Sequence, residues 1–204
     1  LSRIHTADSL DVIDAALRDP NKEIRLAAAR ALTATQSYHF PTPDLFRLVA
    51  DGTPAVSREA ATAVGHLCGS GSRLVATTYS DAIKALFSAV RTGTADRYLE
   101  HAVIYAAIRI GAQGRSTVVS HLDDSNPSVR RAALITLDQM DGGNLTRELV
   151  VPMLDTDDPA LQKEALRVIG SREGWAGETL TLLRGWLKEN KLAREREAVL
   201  RGFL

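Results

Sequence analysis

The sequence predicts an all-α fold, a right-handed α-solenoid of about six helix pairs. Three observations predict it. One helical pattern recurs along the chain, a residue able to cap a helix precedes each copy, and no segment is predicted to be a strand. The composition agrees, because aromatic residues make up 5% of the 204 residues, and a chain poor in aromatics but rich in alanine favours closely packed helices.

The recurring helix is clearest in "SVRRAALITLDQMDGG", residues 128–143. With Val129 as its anchor, the matching anchors stand 32, 43, 30 and 32 residues apart at Ile24, Val56, Leu99, Val129 and Leu161. The fourth and eighth residues after each anchor are also apolar, which places one stripe along each helix. These stripe residues are Ala28, Leu32, Ala60, Val64, Val103, Ala107, Ala133, Leu137, Ala165 and Ile169. The small residues in the middle of the stripe allow neighbouring helices to approach closely.

Helix starts are marked by polar residues three positions before each anchor. Side chains of these types accept a hydrogen bond from a free N–H of the first turn. They are Asn21, Thr53, Asp96, Asn126 and Asp158. Proline follows the cap in three copies, at the first helical position, where no N–H is needed: Pro54, Pro127 and Pro159.

Further helices are predicted between the anchored ones, which gives two helices per repeat. Their predicted ranges are 7–18, 43–51, 80–91, 113–122, 145–154 and 175–189, with a last helix from Lys191. Pro152 falls late in its helix and should bend it. The longest step contains "GSGSRLVATTYS", whose Gly and Ser residues predict an inserted loop at about 69–80.

The repeated pattern of cap, proline and paired alanines resembles HEAT repeats. It is carried by "NPSVRRAALITL", "NKEIRLAAARAL" and "DPALQKEALRVI". The resemblance extends over nearly the whole chain, so residues 1–204 are interpreted as a single array. It implies a scaffold or protein-interaction module in which the second helix of each pair lines the concave face.

A narrower resemblance lies in "DRYLEHAVIYAAIRI" and "RRAALITLDQMDGGNLT", residues 96–110 and 130–146. These segments are similar to the HEAT region of large planctomycete-type multidomain proteins with a dehydrogenase domain and a c-type cytochrome domain. The resemblance implies a redox-active parent protein and an extracytoplasmic or periplasmic location. Because the chain begins at Leu1 without methionine, we also expect it to be a fragment of a longer protein.

No residue is predicted to be catalytic, metal-binding or cofactor-binding in this segment. Cys68 is the single cysteine, so the Cys-x-x-Cys-His haem motif is missing and no cofactor is expected here. The five histidines form no His-x-x-x-His pair, so the sequence contains no local zinc-binding motif of this kind.

One column of residues is a candidate partner-binding surface. Positions 2, 6 and 10 after each anchor face away from the apolar stripe and include six Arg or Lys residues and no acid. The predicted partner-facing ridge comprises Arg30, Arg58, His101, Tyr105, Arg109, Arg131, Lys163 and Arg167. The acids one position off this column, Glu59, Glu100 and Glu164, would neutralise part of its charge. The alternative interpretation is an ordinary solvated helix face.

Two functions are compatible with these features of the sequence. The first is a non-catalytic scaffold that spaces domains of a larger protein or binds a protein or acidic peptide on its concave face. The alternative is a HEAT-like DNA-repair glycosylase or another nucleic-acid binder that uses the basic column. The 25 basic and 25 acidic residues balance, which disfavours nucleic acid. No apolar run approaches the length of a membrane span.

Overall fold

The computed structural model describes residues 7–34, 41–69, 71–92, 96–186, 188 and 197. Within these residues the secondary structure is helical, without strands. The α-helices are α1 (Ala7–Ala16), α2 (Lys22–Ala34), α3 (Pro43–Leu48), α4 (Pro54–Leu67), α5 (Ala76–Thr92), α6 (Arg97–Ile110), α7 (Arg115–Ser120), α8 (Pro127–Gln139), α9 (Arg147–Val150), α10 (Pro159–Gly170) and α11 (Ala176–Trp186). Short 3-10 helices span Gly111–Gly114, His121–Asp123 and Val151–Leu154.

The helices pack as a solenoid. We call α2, α4, α6, α8 and α10 the second helices; each packs against the next one along the chain, and the first helices α3, α5 and α7 do likewise. The two layers also meet, since α1 packs on α2, α3 on α4, α5 on α6, α7 on α8 and α9 on α10. The predicted fold class is therefore confirmed as an all-helical α-solenoid.

The predicted apolar stripe forms much of the core between these layers. Its middle and last positions are buried in all five second helices, and so are four of the five anchors. Ile24 is the exception, with 41% of its surface exposed. It belongs to α2, the first of the second helices, and no earlier second helix is described that would cover it.

The predicted caps are confirmed in four of five repeats. The side chains of Asn21, Asp96, Asn126 and Asp158 accept from backbone N–H groups two or three residues later, at 2.7–2.9 Å. Thr53 makes no such bond. Its own N–H instead donates to Asp51 Oδ1 at 2.8 Å.

Helices α4 and α6 approach closely at Gly65 of α4. A Cβ atom at Gly65 would lie 2.7 Å from the Cα of Ala106 in α6, a distance that real Cβ atoms do not reach. The absence of a side chain at Gly65 therefore sets how closely α4 and α6 pack.

The inserted loop is shorter than predicted. Helix α5 begins at Ala76, so the predicted loop of 69–80 ends at Val75. The Tyr79 hydroxyl, on the first turns of α5, donates to Ser72 O at 2.7 Å and accepts from Leu74 N at 3.3 Å. This buried tyrosine holds the glycine- and serine-rich segment against the helix.

Two other predicted helices are divided. Residues 113–122 fall in a 3-10, α and 3-10 succession, and the segment 145–154 forms α9 followed by a 3-10 turn that contains Pro152. The backbone changes to 3-10 geometry at Val151, next to this proline, which cannot donate an intrahelical bond; the bend predicted here stays a prediction. The helix predicted from Lys191 lies outside the described residues.

A row of side chains ties four of the five second helices to the segment before each of them. The residue directly after the anchor donates to a carbonyl of that segment at 2.5–2.8 Å in four repeats, through Arg25, Ser57, Arg130 and Gln162. Arg25 also reaches Asp51 of the next repeat at 2.9 Å. These bonds satisfy carbonyl groups that no helix pairs.

Candidate partner groove

A groove of about 1230 Å³ crosses three successive second helices, α6, α8 and α10. The end of α5 completes it through Ala89 and Val90. The side chains that line it on the second helices include Asp96, Arg97, Glu100, His101, Ile104, Tyr105, Ile108, Arg131, Ile135, Gln139, Lys163, Glu164 and Arg167.

The groove lies over the column that the repeat predicted. In all three helices the residues two and six positions after the anchor line it. The structure thus brings together five members of the predicted ridge: His101, Tyr105, Arg131, Lys163 and Arg167. Arg30, Arg58 and Arg109 are not part of the lining. Contact of any of these residues with a partner stays a prediction.

The floor of the groove is apolar. Ile104 and Ile108 of α6 and Ile135 of α8 are half-buried, so each keeps part of its side chain open to the groove. Tyr105, at 53% exposure, stands beside them, and Tyr98 of the same helix is 74% exposed outside the lining. Exposed tyrosines next to aliphatic side chains are typical of protein-binding surfaces.

Ion pairs cross every junction between consecutive second helices on this face. Arg30 of α2 pairs with Glu59 of α4 at 3.6 Å, and Arg58 of α4 with Asp96, the cap of α6, at 2.9 Å. The next two junctions are closed by Arg131 with Glu100 and by Arg167 with Asp138. We call these four pairs the ion-pair ladder.

The two pairs at the groove have the better geometry. Arg131 donates to both carboxylate oxygens of Glu100, at 2.7 and 2.8 Å, and about a quarter of each side chain is exposed. Arg167 holds Asp138 of α8 at 2.6 Å and Glu164 of its own helix at 2.7 Å. Bidentate arginine–carboxylate contacts are among the stronger ion pairs in proteins.

The ladder neutralises part of the positive charge of the ridge. Four of the six cations of the ridge are each paired with an acid of the array, so they do not present a continuous row of unpaired positive charge. The reason is that Glu59 and Glu100, one position off the column, and the two aspartates Asp96 and Asp138 face the cations of the neighbouring helix.

Two cations of the groove lack an acidic partner within the described residues: Arg97, at the start of α6, and Lys163 of α10. Both are exposed and line the groove on opposite sides of α8. The acids of the lining, by contrast, are all paired: Asp96 with Arg58, Glu100 with Arg131 and Glu164 with Arg167. The groove's residual charge is therefore positive.

The protonation state of Asp96 is fixed by its neighbours. Desolvation raises the pKa of its carboxyl, but hydrogen bonds from the N–H groups of Tyr98 and Leu99 and the Arg58 guanidinium outweigh this, so the pKa lies below 3.8. Asp96 is ionised at neutral pH and remains paired.

The single cysteine of the chain, Cys68, is not placed as a nucleophile. Cys68 is fully buried, and burial raises the pKa of its thiol to about 12, which removes the thiolate that a nucleophile needs. No cluster of three or more potential metal ligands occurs among these residues. In the same residues, none of the helices has the length and apolar character of a bilayer span.

Sequence reasoning missed two of the three isoleucines of the floor. Ile104 and Ile108 stand five and nine positions after their anchor, outside both the apolar stripe and the predicted ridge. The available signal was the composition of α6, in which "AVIYAAIRI" is apolar on more than one face. A helix that is apolar beyond its core stripe has a second surface to cover.

Comparison with known proteins identifies the repeat type for part of the chain. Residues 9–107 match the family model described as HEAT repeats. No match was found among curated proteins. Similar solved structures include a designed armadillo repeat protein in complex with the peptide (KR)4, at 16% identity over 96% of this chain and 99% of that chain, with a TM-score of 0.43. An engineered protein of the Northeast Structural Genomics Consortium has 17% identity over 94% of this chain and 97% of its own, with a TM-score of 0.46.

The HEAT match ends within α6, but the anchored pattern continues through α8 and α10 with the same caps and the same buried stripe. The chain is an all-helical α-solenoid that matches HEAT repeats over residues 9–107.

Proposed function

We propose that this chain is a non-catalytic repeat scaffold that binds a segment of another polypeptide in the groove across α6, α8 and α10. The observation that carries the proposal is the combination of an apolar floor at Ile104, Ile108 and Ile135 with a polar rim in a groove of about 1230 Å³. An apolar centre inside a polar rim is the usual composition of a protein-binding site.

The ion-pair ladder supports a polypeptide over nucleic acid. Duplex binding depends on cations free to neutralise phosphates, and Arg131 and Arg167 are already held by Glu100, Asp138 and Glu164. The glycosylase alternative also needs a pocket for a flipped base with aromatic side chains to stack on it. The groove lining contains one aromatic residue of the Phe, Tyr and Trp type, Tyr105.

As part of the same proposal, the array spaces or docks domains of a larger protein, and the segments 96–110 and 130–146 favour a haem-containing redox parent in an extracytoplasmic compartment. Cofactors would then be held by those other domains. A Cys-x-x-Cys-His motif elsewhere in the same gene product would support this parent, and a parent without redox domains would contradict it.

The groove is tested by selecting binders from a displayed library of random peptides on the wild-type protein. We expect the selected peptides to lose most of their affinity for Ile135→Asn, which makes the floor polar without changing its charge. The matched control is Val75→Asn, because Val75 is 68% exposed in the loop before α5 and is not part of the lining.

Peptides that bind Ile135→Asn as well as they bind wild type would contradict the proposal. A salt-dependent titration with duplex DNA tests the alternative. Binding that weakens steeply with salt and survives Ile135→Asn would favour a nucleic-acid function.

A further inference from the structure

We infer that the groove selects a polypeptide segment that carries carboxylates beside its apolar side chains. The inference rests on the proposed function and specifies its partner. It follows from the charges left over once the ion pairs of the groove are counted.

Covering the groove affects its charged groups unequally. The lining acids Asp96, Glu100 and Glu164 keep their arginine partners when a ligand replaces water, so they need nothing from it. Arg97 and Lys163 are exposed to water and form no ion pair with an acid among the described residues. A ligand that displaces this water without supplying a carboxylate leaves both cations poorly solvated, which is unfavourable.

A basic segment is disfavoured by the same pairs. To receive a lysine or arginine of the ligand, Glu100 would have to share or give up the three hydrogen bonds that it accepts from Arg131, at 2.7, 2.8 and 3.1 Å. Glu164 is bonded to Arg167 at 2.7 Å. The ligand's cation would meanwhile approach Arg97 or Lys163, and like charges repel.

The heights of the residues on their helices define the ligand further. Lys163 is two positions after its anchor, and Arg97 is two before, whereas the isoleucines stand five, six and nine positions after theirs. Counted from their anchors, Lys163 stands four residues before Ile135, which is about 6 Å along the helix axis at a rise of about 1.5 Å per residue. A bound segment therefore places its carboxylates toward the first turns of α6 and α10 and its apolar side chains over the floor.

The test uses three pools of synthetic twelve-residue peptides that share randomised Leu, Ile, Val and Phe positions. The pools differ only at the interspersed positions, which are Asp/Glu, Lys/Arg or Ser/Asn. Binding to the complete chain is measured at about 0.01 M and about 0.15 M salt, where the Debye length falls from about 30 Å to about 8 Å. We expect the acidic pool to bind best, with an advantage that shrinks as the salt rises.

Charge variants locate the effect. Lys163→Gln and Arg97→Gln should each weaken the acidic pool by about two- to five-fold, as expected for an exposed ion pair, and leave the Ser/Asn pool unchanged. Lys22→Gln is the matched control, since Lys22 is an exposed residue at the start of α2 and not part of the lining. Thermal unfolding of each variant verifies that the fold is kept.

The outcomes separate the two levels of the proposal. Equal binding of the three pools, all of it lost in Ile135→Asn, would overturn the inference and leave the groove function standing. Binding that is indifferent to Ile135→Asn would overturn both. Preference for the acidic pool that persists in Lys163→Gln, Arg97→Gln and their double variant would place acid recognition elsewhere and also overturn the inference.

Discussion

Single side chains determine where the second helices begin, and Asn126 is the clearest case. Its Oδ1 accepts from the N–H of Ser128 at 2.9 Å, directly before Pro127. Asn126→Ala should lower the free energy of unfolding by about 1 kcal/mol because that N–H loses its partner. Urea denaturation measures the change. Asn126→Ser is the control and should cost much less, since serine caps equally well; equal losses in both variants would show that the cap is not the cause.

His121 packs against Phe87, with the two ring centroids 4.8 Å apart. Burial lowers the pKa of His121, Asp124 opposes this change, and Arg91 and Lys84 add to it. The unfolded chain therefore binds a proton at a higher pH than the folded chain does. The neutral form stabilises the fold above the unfolded pKa of about 6.5, and this contribution is lost as the pH falls through the lower folded value.

We accordingly expect the free energy of unfolding to decrease as the pH falls below about 6.5. The slope should flatten in His121→Gln, which cannot titrate. Urea midpoints measured across this range provide the data. A slope that is unchanged in the variant would assign the effect to other groups.

At the scale of elements, the ion-pair ladder couples neighbouring second helices. The Glu100–Arg131 pair joins α6 to α8, with 23% and 27% of the two side chains exposed. A double-mutant cycle with Glu100→Gln and Arg131→Met should give a coupling of about 1 kcal/mol, the upper end of the range for exposed pairs, because the contact is bidentate and partly shielded.

The matched cycle uses Asp81 and Lys84 of α5, a pair 3.7 Å apart with about 60% of each side chain exposed. Its coupling should be close to zero because water screens both groups. Similar couplings in the two cycles would mean that the ladder does not tie the helices together.

The elements differ in how much of them the sequence predicts. Helix α10 follows from local signals, since Asp158 caps it, Pro159 starts it, and Leu161, Ala165 and Ile169 form its buried stripe. The start of α5 does not follow from local signals, because the Gly and Ser residues before it indicate a loop. The contact that orders this segment, from Tyr79 to Ser72, is seen only in the three-dimensional structure.

The groove was only partly predictable, because the sequence pattern describes single helices and not the contacts between them. Repeat spacing places His101, Arg131 and Lys163 at one height, and the structure brings all three to the groove. The charge of the groove depends on pairs between helices, such as Arg167 with Asp138, whose members stand 29 positions apart. Spacing within one helix carries no information about that pairing.

A solenoid is held together by contacts between neighbouring repeats. Weakening one junction should therefore let the repeats on its two sides unfold in separate transitions. The α4–α6 junction is the place to test this. In Gly65→Ala the new Cβ would lie 2.7 Å from the Ala106 Cα and 2.9 Å from its Cβ. Because the obstacle includes backbone, the helices must separate, at a cost of about 1–3 kcal/mol.

The two tryptophans of the chain, Trp175 and Trp186, lie on the far side of this junction and report on the last repeat. In wild type we expect urea transitions followed by tryptophan fluorescence and by far-ultraviolet circular dichroism to coincide. In Gly65→Ala the dichroism should begin to change at lower urea, while the fluorescence midpoint moves less, since the repeats after α6 keep their own contacts. Gly52→Ala is the control, because a Cβ there meets nothing within 4 Å. If both probes shift together in Gly65→Ala, the array unfolds as one cooperative unit and the junctions between its repeats are not its weakest links.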